Sequence, residues 1–296
     1  MAKRVGMLGL GVMGSAMAAN LLRAGYTVIG YDPVSPCRSR LRRAGGVPVN
    51  GSNEVFASCS VLISSLPSGE ALTDVCKNIS RGKPRILVET STLPIAVKEA
   101  ARKRLAAAGV TLLDCPLSGT GAQARSGDLA VYASGHRASF RTALPVMKGF
   151  SRAQHYLGRF GNGSKMKFAA NLLVAIHNVS AAEAVILARK SGLNARLAVE
   201  VLGDGAGSSR MLQVRGPMMA RRRYRPATMS VALWRKDMKI IGDFVRGLRS
   251  PAPLFERTRA IYRDTLSRGL DNADTAAVCA VLERPKRRKM SHRRTD

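Results

Sequence analysis

VGMLGLGVMGSAMAANLL, residues 5 to 22, decides the fold. It opens as an apolar β-run, closes as a helical pattern, and between the two lies Gly9-x-Gly11-x-x-Gly14. A strand that passes through three so-spaced glycines into a helix is a phosphate-binding device. The first glycine permits the tight turn, the second lets backbone approach a pyrophosphate, and the third lets helix pack on strand. The helix N-terminus supplies N–H groups and the positive end of a dipole. Gly9, Leu10, Gly11, Val12, Met13 and Gly14 are thus expected to cradle a dinucleotide. A glycine-rich turn without ligand is the plainer alternative.

Asp32 follows the next apolar run, YTVIGY (26 to 31), eighteen residues after Gly14. A carboxylate there accepts hydrogen bonds from the ribose of NAD and repels the 2′-phosphate of NADP. NAD is the expected cofactor, while Arg38 and Arg40 nearby leave NADP possible. The bland reading of Asp32 is a turn residue before Pro33.

Outward from this stretch, short apolar runs alternate with helical patterns. Val12 to Ala24 is predicted as a helix closed by Gly25, and further strands are predicted at VLISS (61 to 65), ILVE (86 to 89), VTLLD (110 to 114), LAVYAS (129 to 134) and HYLG (155 to 158). Strands separated by helices imply a mostly parallel sheet with right-handed crossovers. After Gly163 the strand signals stop. A helix over 164–191, apolar around much of its circumference, leads into helical segments broken at Gly192, Gly203 to Gly207, Pro217, Pro226 and Pro251. The expected architecture is α/β. A doubly wound, Rossmann-type domain (1–162) precedes an all-helical domain (163–283) that begins with the long interdomain helix, and a disordered basic tail (284–296) follows.

A chain of 296 residues, 46% apolar and only 5% aromatic, has room for those two domains and their cores. Five scattered cysteines without a CxxC pair exclude a disulfide framework and a zinc site, no metal is expected, and a reducing cytoplasm is the natural compartment. The N-terminus mimics a secretory signal, but glycines at 9, 11 and 14 argue against one, and no later run approaches the roughly 18 uninterrupted apolar residues of a membrane span. The net charge of +29 invites a nucleic-acid reading. Its densest runs, RRRYR (221 to 225) and RPKRRKMSHRR (284 to 294), lack the interleaved aromatics that single-strand binding favours, and they read as solvated surface.

Chemistry needs more than a cofactor. SSLPSG (64 to 69) and ETSTLP (89 to 94) put small hydroxyl residues and prolines at strand ends facing the crevice, where Leu66, Pro67 and Thr92 are expected to line the cofactor or to serve as plain caps. GNGSKMKFAAN (161 to 171) offers two lysines. At about 100° per residue, Lys167 and Asn171 share a helix face while Lys165 points about 200° away, so Lys167 is the candidate for proton transfer. Otherwise it is a surface lysine at a helix start. His136, His155 and His177 are isolated, Ser118 has no evident His and Asp partners, and Met211, Met218, Met219 and Met229 suit helix packing.

Four motifs in order carry a resemblance across the chain to about residue 283: GLGVMGSAMAANLL, DCPLSGTGAQARSGDL (114 to 129), GNGSKMKFAAN and WRKDM (234 to 238). Together they resemble the β-hydroxyacid dehydrogenase family, which includes 3-hydroxyisobutyrate dehydrogenase, tartronate semialdehyde reductase and L-threonate dehydrogenase. The resemblance implies hydride transfer between a nicotinamide and a small 3-hydroxy acid. It further implies Lys167 as general acid/base, Asn171 as its or the substrate's positioner, Ser118 and Gly119 as carboxylate binders, and Lys236 near nicotinamide and substrate. The family's helical domains associate as dimers or tetramers. Thr120 stands where a second glycine is usual, Cys115 replaces the common alanine, and Ala170 replaces the first asparagine of a frequent KxxNN variant. The Thr120 hydroxyl is expected to contact a polyhydroxylated substrate. The competing class is a dinucleotide fold reused as a basic nucleic-acid-associated protein.

Overall fold

The computed structural model describes residues 3–77, 79, 82 and 85–284, so the predicted basic tail lies, beyond Arg284, outside the described residues. The chain divides into two compact units, 1–170 and 171–296.

The first unit is built on β1 (Arg4–Leu8), β2 (Thr27–Tyr31), β3 (Val47–Pro48), β4 (Val61–Ser64), β5 (Arg85–Glu89) and β6 (Val110–Asp114). They form one sheet in the order β3-β2-β1-β4-β5-β6, parallel throughout. The helices α1 (Val12–Arg23), α2 (Ser35–Arg43), α3 (Ser52–Ser58), α4 (Gly69–Val75) and α5 (Ile95–Ala107) alternate with the strands. Strand order reverses between β1 and β4, and the carboxyl ends of those two strands therefore open the crevice where such sheets bind ligands. Apolar strands covered on both faces demand two cores. On one face Met7, Ile63 and Leu113 pack with Met17 and Leu21 of α1. On the other, Leu8, Leu62, Leu87 and Leu112 pack with Phe56, Leu72 and Leu105. Each such fully buried aliphatic side chain stabilises the fold by roughly 1.5–3 kcal/mol.

LAVYAS and HYLG do not extend this sheet. With β7 (Leu117–Ser118), β8 (Ala130–Ala133) and β9 (Ala153–Tyr156) they make a second, three-stranded sheet, accompanied by α6 (Gly121–Arg125) and α7 (Arg137–Lys148). β7 and β8 pair antiparallel, and a bridge between Asp114 and Ser134 joins the two sheets. The stretch after β6 keeps that register: the Tyr132 N–H donates to the Pro116 carbonyl at 3.0 Å, Leu117 and Ser118 pair with Val131 and Ala130, and Pro116, lacking an N–H, leaves one rung of the ladder unmade.

α8 (Asn162–Lys190) carries the division between the units within its length. It is long and apolar enough to cross a membrane by length and composition, though Asn171, His177, Asn178 and Glu183 interrupt its apolar run as the sequence reading expects. Its buried polar groups are those of a packed core helix instead. Asn178 Nδ2, fully buried, donates to Tyr262 Oη at 2.7 Å and to the Thr275 carbonyl at 2.8 Å.

The second unit continues through α9 (Ala195–Asp204), α10 (Arg210–Ala220), α11 (Val231–Gly247), α12 (Pro253–Ser267) and α13 (Val278–Glu283). Pro217, read from sequence as a break, lies inside α10. An interior proline forfeits its own N–H bond and crowds the carbonyl one turn back, yet the helix continues, packed on α9 so closely at Gly216 that a Cβ there would fall 2.8 Å from Val199 Cγ1.

Candidate active site

The glycine loop is shaped by what each glycine faces. Gly9 has φ +88°, and a Cβ on it would overlap the Ser65 carbonyl oxygen at the end of β4, with Leu66 Cδ2 at 3.1 Å. A Cβ on Gly14 would overlap the Gly9 carbonyl oxygen. Gly11 is different: nothing lies within 4 Å of where its Cβ would be. First and third glycines are therefore demanded by the protein itself, and the second leaves open space at the N-terminus of α1. That open cradle, bounded by backbone N–H groups and a helix dipole, fits a pyrophosphate.

Around the cradle Gly11 and Val12 are exposed, Met13 is half-buried, and Leu10 is buried. Asp32 is buried and structurally committed: Oδ2 accepts the Leu10 N–H at 2.7 Å and Oδ1 the Val34 N–H at 2.8 Å. Arg38 Nη1 donates to the Asp32 backbone carbonyl at 2.6 Å. Across the switch point, the Leu66 N–H donates to Ser91 Oγ at 2.8 Å, tying the end of β4 to the end of β5, with Pro67 exposed and Thr92 half-buried beside them.

The DCPLSG segment comes to the same loop. A Cβ on Gly121 would sit 2.8 Å from Val12 Cγ1, and Asn20 Nδ2 of α1 donates to the Ala124 carbonyl of α6 at 2.7 Å. Ser118 and Gly119, half-buried, lie just ahead of α6. Thr120 is its N-cap, in a capping box with Gln123. The hydroxyl expected to meet substrate is engaged with the Gln123 N–H at 3.4 Å and Gln123 Oε1 at 3.3 Å. Burial above all, then the Asp114 carboxylate alongside, pushes the Cys115 thiol far above its ordinary range, so it is no nucleophile.

Lys167 is nine-tenths buried in the second turn of α8. The start of that helix is fixed by residues the sequence reading overlooked. Asp114, fully buried at the end of β6, accepts the Ser164 N–H at 2.8 Å on Oδ2 and the Ser164 hydroxyl at 2.7 Å on Oδ1. Lys98, fully buried on α5, donates to Asp114 Oδ1 at 2.8 Å. Gly163 donates to Ser134 Oγ at 2.9 Å, and a Cβ on it would press on the Asp114 and Tyr132 carbonyl oxygens. Signals existed: Glu89 and Asp114 are acids closing apolar strand runs, and Lys98 shares an i, i+3, i+7 stripe with Ala101 and Leu105.

The second unit holds a group of its own. Asn171, one helical turn beyond Lys167 on α8, donates through Nδ2 to Asp237 Oδ2 at 3.1 Å, and Lys236 Nζ lies 3.6 Å from Asp237 Oδ1. Asp237 and Asn171 are buried, and Lys236 is partly exposed. Asp237, adjacent to the predicted Lys236, was missed as an individual residue.

Residues 4–158 match the family model for the NAD binding domain of 6-phosphogluconate dehydrogenase, and residues 161–282 that for the NAD-binding region of NADP-dependent 3-hydroxyisobutyrate dehydrogenase. The chain belongs to the β-hydroxyacid dehydrogenase family. It is 30% identical over 292 residues to glyoxylate/succinic semialdehyde reductase 2, chloroplastic, of Arabidopsis thaliana, covering 96% of this chain and 81% of that relative. L-threonate dehydrogenase of Cupriavidus necator is 29% identical over 288 residues, covering 95% and 97%. Among solved structures, 3-hydroxyisobutyrate dehydrogenase of Mycobacterium tuberculosis with L-serine superposes with a TM-score of 0.85 at 28% identity, covering 96% of this chain and all of that one. Members of this family are NAD(P)-binding oxidoreductases, and a nicotinamide dinucleotide is the group that the open cradle at Gly11 fits.

Proposed function

We propose that this β-hydroxyacid dehydrogenase catalyses reversible oxidation of a small 3-hydroxy acid, or reduction of its semialdehyde or keto form, with Lys167 as general acid/base and NAD preferred to NADP. The observation that carries the reading is Lys167 itself, an amine nine-tenths buried in the second turn of a helix whose start is bonded to the carboxyl end of β6. Burying a lysine is costly, and this one lies in the GNGSKMKFAAN segment to which the family resemblance gives proton transfer. When bound, the dinucleotide supplies or accepts hydride at its nicotinamide.

The chain's own residues do the rest. Lys167 takes the proton from the substrate hydroxyl in oxidation and returns it to the developing alkoxide in reduction. Asn171, braced by Asp237, orients the reacting oxygen. Backbone N–H groups at Ser118 and Gly119 hold the substrate carboxylate, and Lys236 adds positive potential. Preference for NAD rests on Asp32, whose negative charge closes β2 where a 2′-phosphate would have to lie. The 3-hydroxy acid class is supported by the names of an L-threonate dehydrogenase and a 3-hydroxyisobutyrate dehydrogenase, while the glyoxylate/succinic semialdehyde reductase supports only the wider class of small aldehyde and hydroxy acids.

A homodimer or homotetramer is the proposed working form. Its support is an apolar groove of about 460 Å³ lined in part by Leu187, Leu193, Leu197 and Val201, each at least 58% exposed. Five free thiols support a reducing, cytoplasmic setting.

The test is a reaction panel: NAD and NADP against threonate, glycerate and 3-hydroxyisobutyrate, with wild type and Lys167→Ala. Expected are turnover with at least one acid, a preference for NAD, and a kcat about 100-fold lower in the variant with dinucleotide affinity nearly unchanged. Absence of turnover combined with salt-dependent DNA binding would replace this reading with that of a basic nucleic-acid-associated protein.

A further inference from the structure

One buried polar chain in the first unit links the cofactor-side strand ends to the start of α8. The Leu66 N–H donates to Ser91 Oγ at 2.8 Å, and the Ser91 N–H donates to Glu89 Oε1 at 2.7 Å. Ser64 Oγ donates to Glu89 Oε2. Lys98 Nζ stands between two carboxylates, 3.9 Å from Glu89 Oε1 and 2.8 Å from Asp114 Oδ1. Asp114 in turn receives the Ser164 N–H and hydroxyl and, at 3.2 Å, the Ser134 hydroxyl. Lys98, Glu89 and Asp114 have fully buried side chains.

Stability alone does not account for such an arrangement. Taking such groups out of water is costly, and well-packed apolar residues of the same volume are often as stable or more so. Direction is what the charges supply. Asp114 fastens the first turn of α8 at two adjacent donors, Lys98 holds that carboxyl group in place, and Glu89 ties Lys98 to the segment bearing Leu66, which packs against Gly9. An apolar replacement would fill the space and leave the helix start free to slide or rotate.

We propose that Lys98 is a positioning residue: through Asp114 and Ser164 it fixes the rotation of the first turns of α8, and so the aim of the Lys167 amine. The inference rests on the assignment of proton transfer to Lys167. It makes Lys98, sixty-nine residues earlier in the chain, a determinant of the chemical step without contact to substrate or dinucleotide.

The experiment is a double-mutant cycle on the acid that turns over best, with Lys98→Met, Lys167→Ala and the pair, read by single-turnover rate, by KM, by dinucleotide Kd from quenching of intrinsic fluorescence, and by hydrogen exchange over residues 163–168. Expected for Lys98→Met are a rate at least tenfold lower, KM and Kd within about threefold of wild type, and faster exchange at the Ser164 amide. In the Lys167→Ala background the same change should alter the residual rate less than twofold, because nothing remains to be aimed. Ser164→Ala, which removes one bond and keeps the fold, should show the same pattern at smaller size and serves where Lys98→Met does not fold. Equal effects of Lys98→Met in both backgrounds, or an unaltered rate in Lys98→Met and Ser164→Ala, would overturn the inference. If Lys167→Ala itself leaves turnover intact, the failure lies with the functional assignment.

Discussion

The two units bury polar groups in different ways. In the sheet unit they are chained, from Leu66 through Ser91, Glu89, Lys98 and Asp114 to Ser164, and the chain runs along the carboxyl ends of the strands. In the helical unit many of them converge on one turn, at Asp274 and Thr275, where the Thr275 hydroxyl donates to Asp274 Oδ1 at 3.4 Å. Arg215 Nε meets Asp274 Oδ1 at 3.0 Å, Asp274 also accepts the Thr228 and Ala276 N–H groups, and Asn178 bonds Tyr262 and Thr275. A chained network transmits geometry, whereas a cluster at one turn closes that turn onto a helix. The chain in the first unit thus serves orientation, whereas the turn at Asp274 in the second serves cohesion.

That contrast is open to direct attack. The largest expected effect concerns the loop at the head of the sheet unit. Gly14→Ala forces a methyl onto the Gly9 carbonyl, and dinucleotide affinity measured by titration calorimetry should fall at least about 50-fold with little loss of helical circular dichroism. Next, Asp274→Ala should cost about 3 kcal/mol in urea unfolding, because it strands a buried guanidinium, while dinucleotide Kd stays within error of wild type. A large loss of cofactor affinity in that variant would mean that the helical unit also orients.

The pH dependence of stability refines the same point. Burial alone would raise the Asp274 carboxyl, but Arg215 and the donors at Ala276, Thr228 and Met229 outweigh it and hold the group below its ordinary value. Its contribution is fully present above about pH 4 and is lost as pH falls through the lowered folded-state value. Asp274→Asn should accordingly flatten the acid limb of a stability–pH curve. The smallest expected effect is local: Thr120→Ala removes an N-cap and should cost about 1 kcal/mol by thermal unfolding. An unchanged substrate ranking in the same variant would assign the hydroxyl to the cap alone.

Much of this is legible in the sequence. Three glycines, a terminal aspartate and alternating apolar runs define the sheet unit because each constrains backbone or face locally. The second sheet was not legible as separate, since β7 is only Leu117–Ser118 and its antiparallel pairing with β8 continues the Asp114–Ser134 bridge, which no local pattern announces. Lys167 and Asn171 could be paired from helical spacing. Their supports could not: Asp237 meets Asn171 across 66 residues and Ser164 meets Asp114 across 50, distances over which no period speaks. Lys98 looked like any lysine on a helix rich in alanine and arginine, and only its neighbours at Ala101 and Leu105 hinted that its side faces inward.

Asp32 carries a consequence for anyone redesigning cofactor choice. Because its carboxylate fastens the Leu10 amide, exchanging it for arginine to welcome a 2′-phosphate also unties the loop that must receive the diphosphate. Asp32→Asn discards the charge and keeps one acceptor for the Leu10 amide, at the cost of the bond from the Val34 N–H, and is the milder first step in altering cofactor choice.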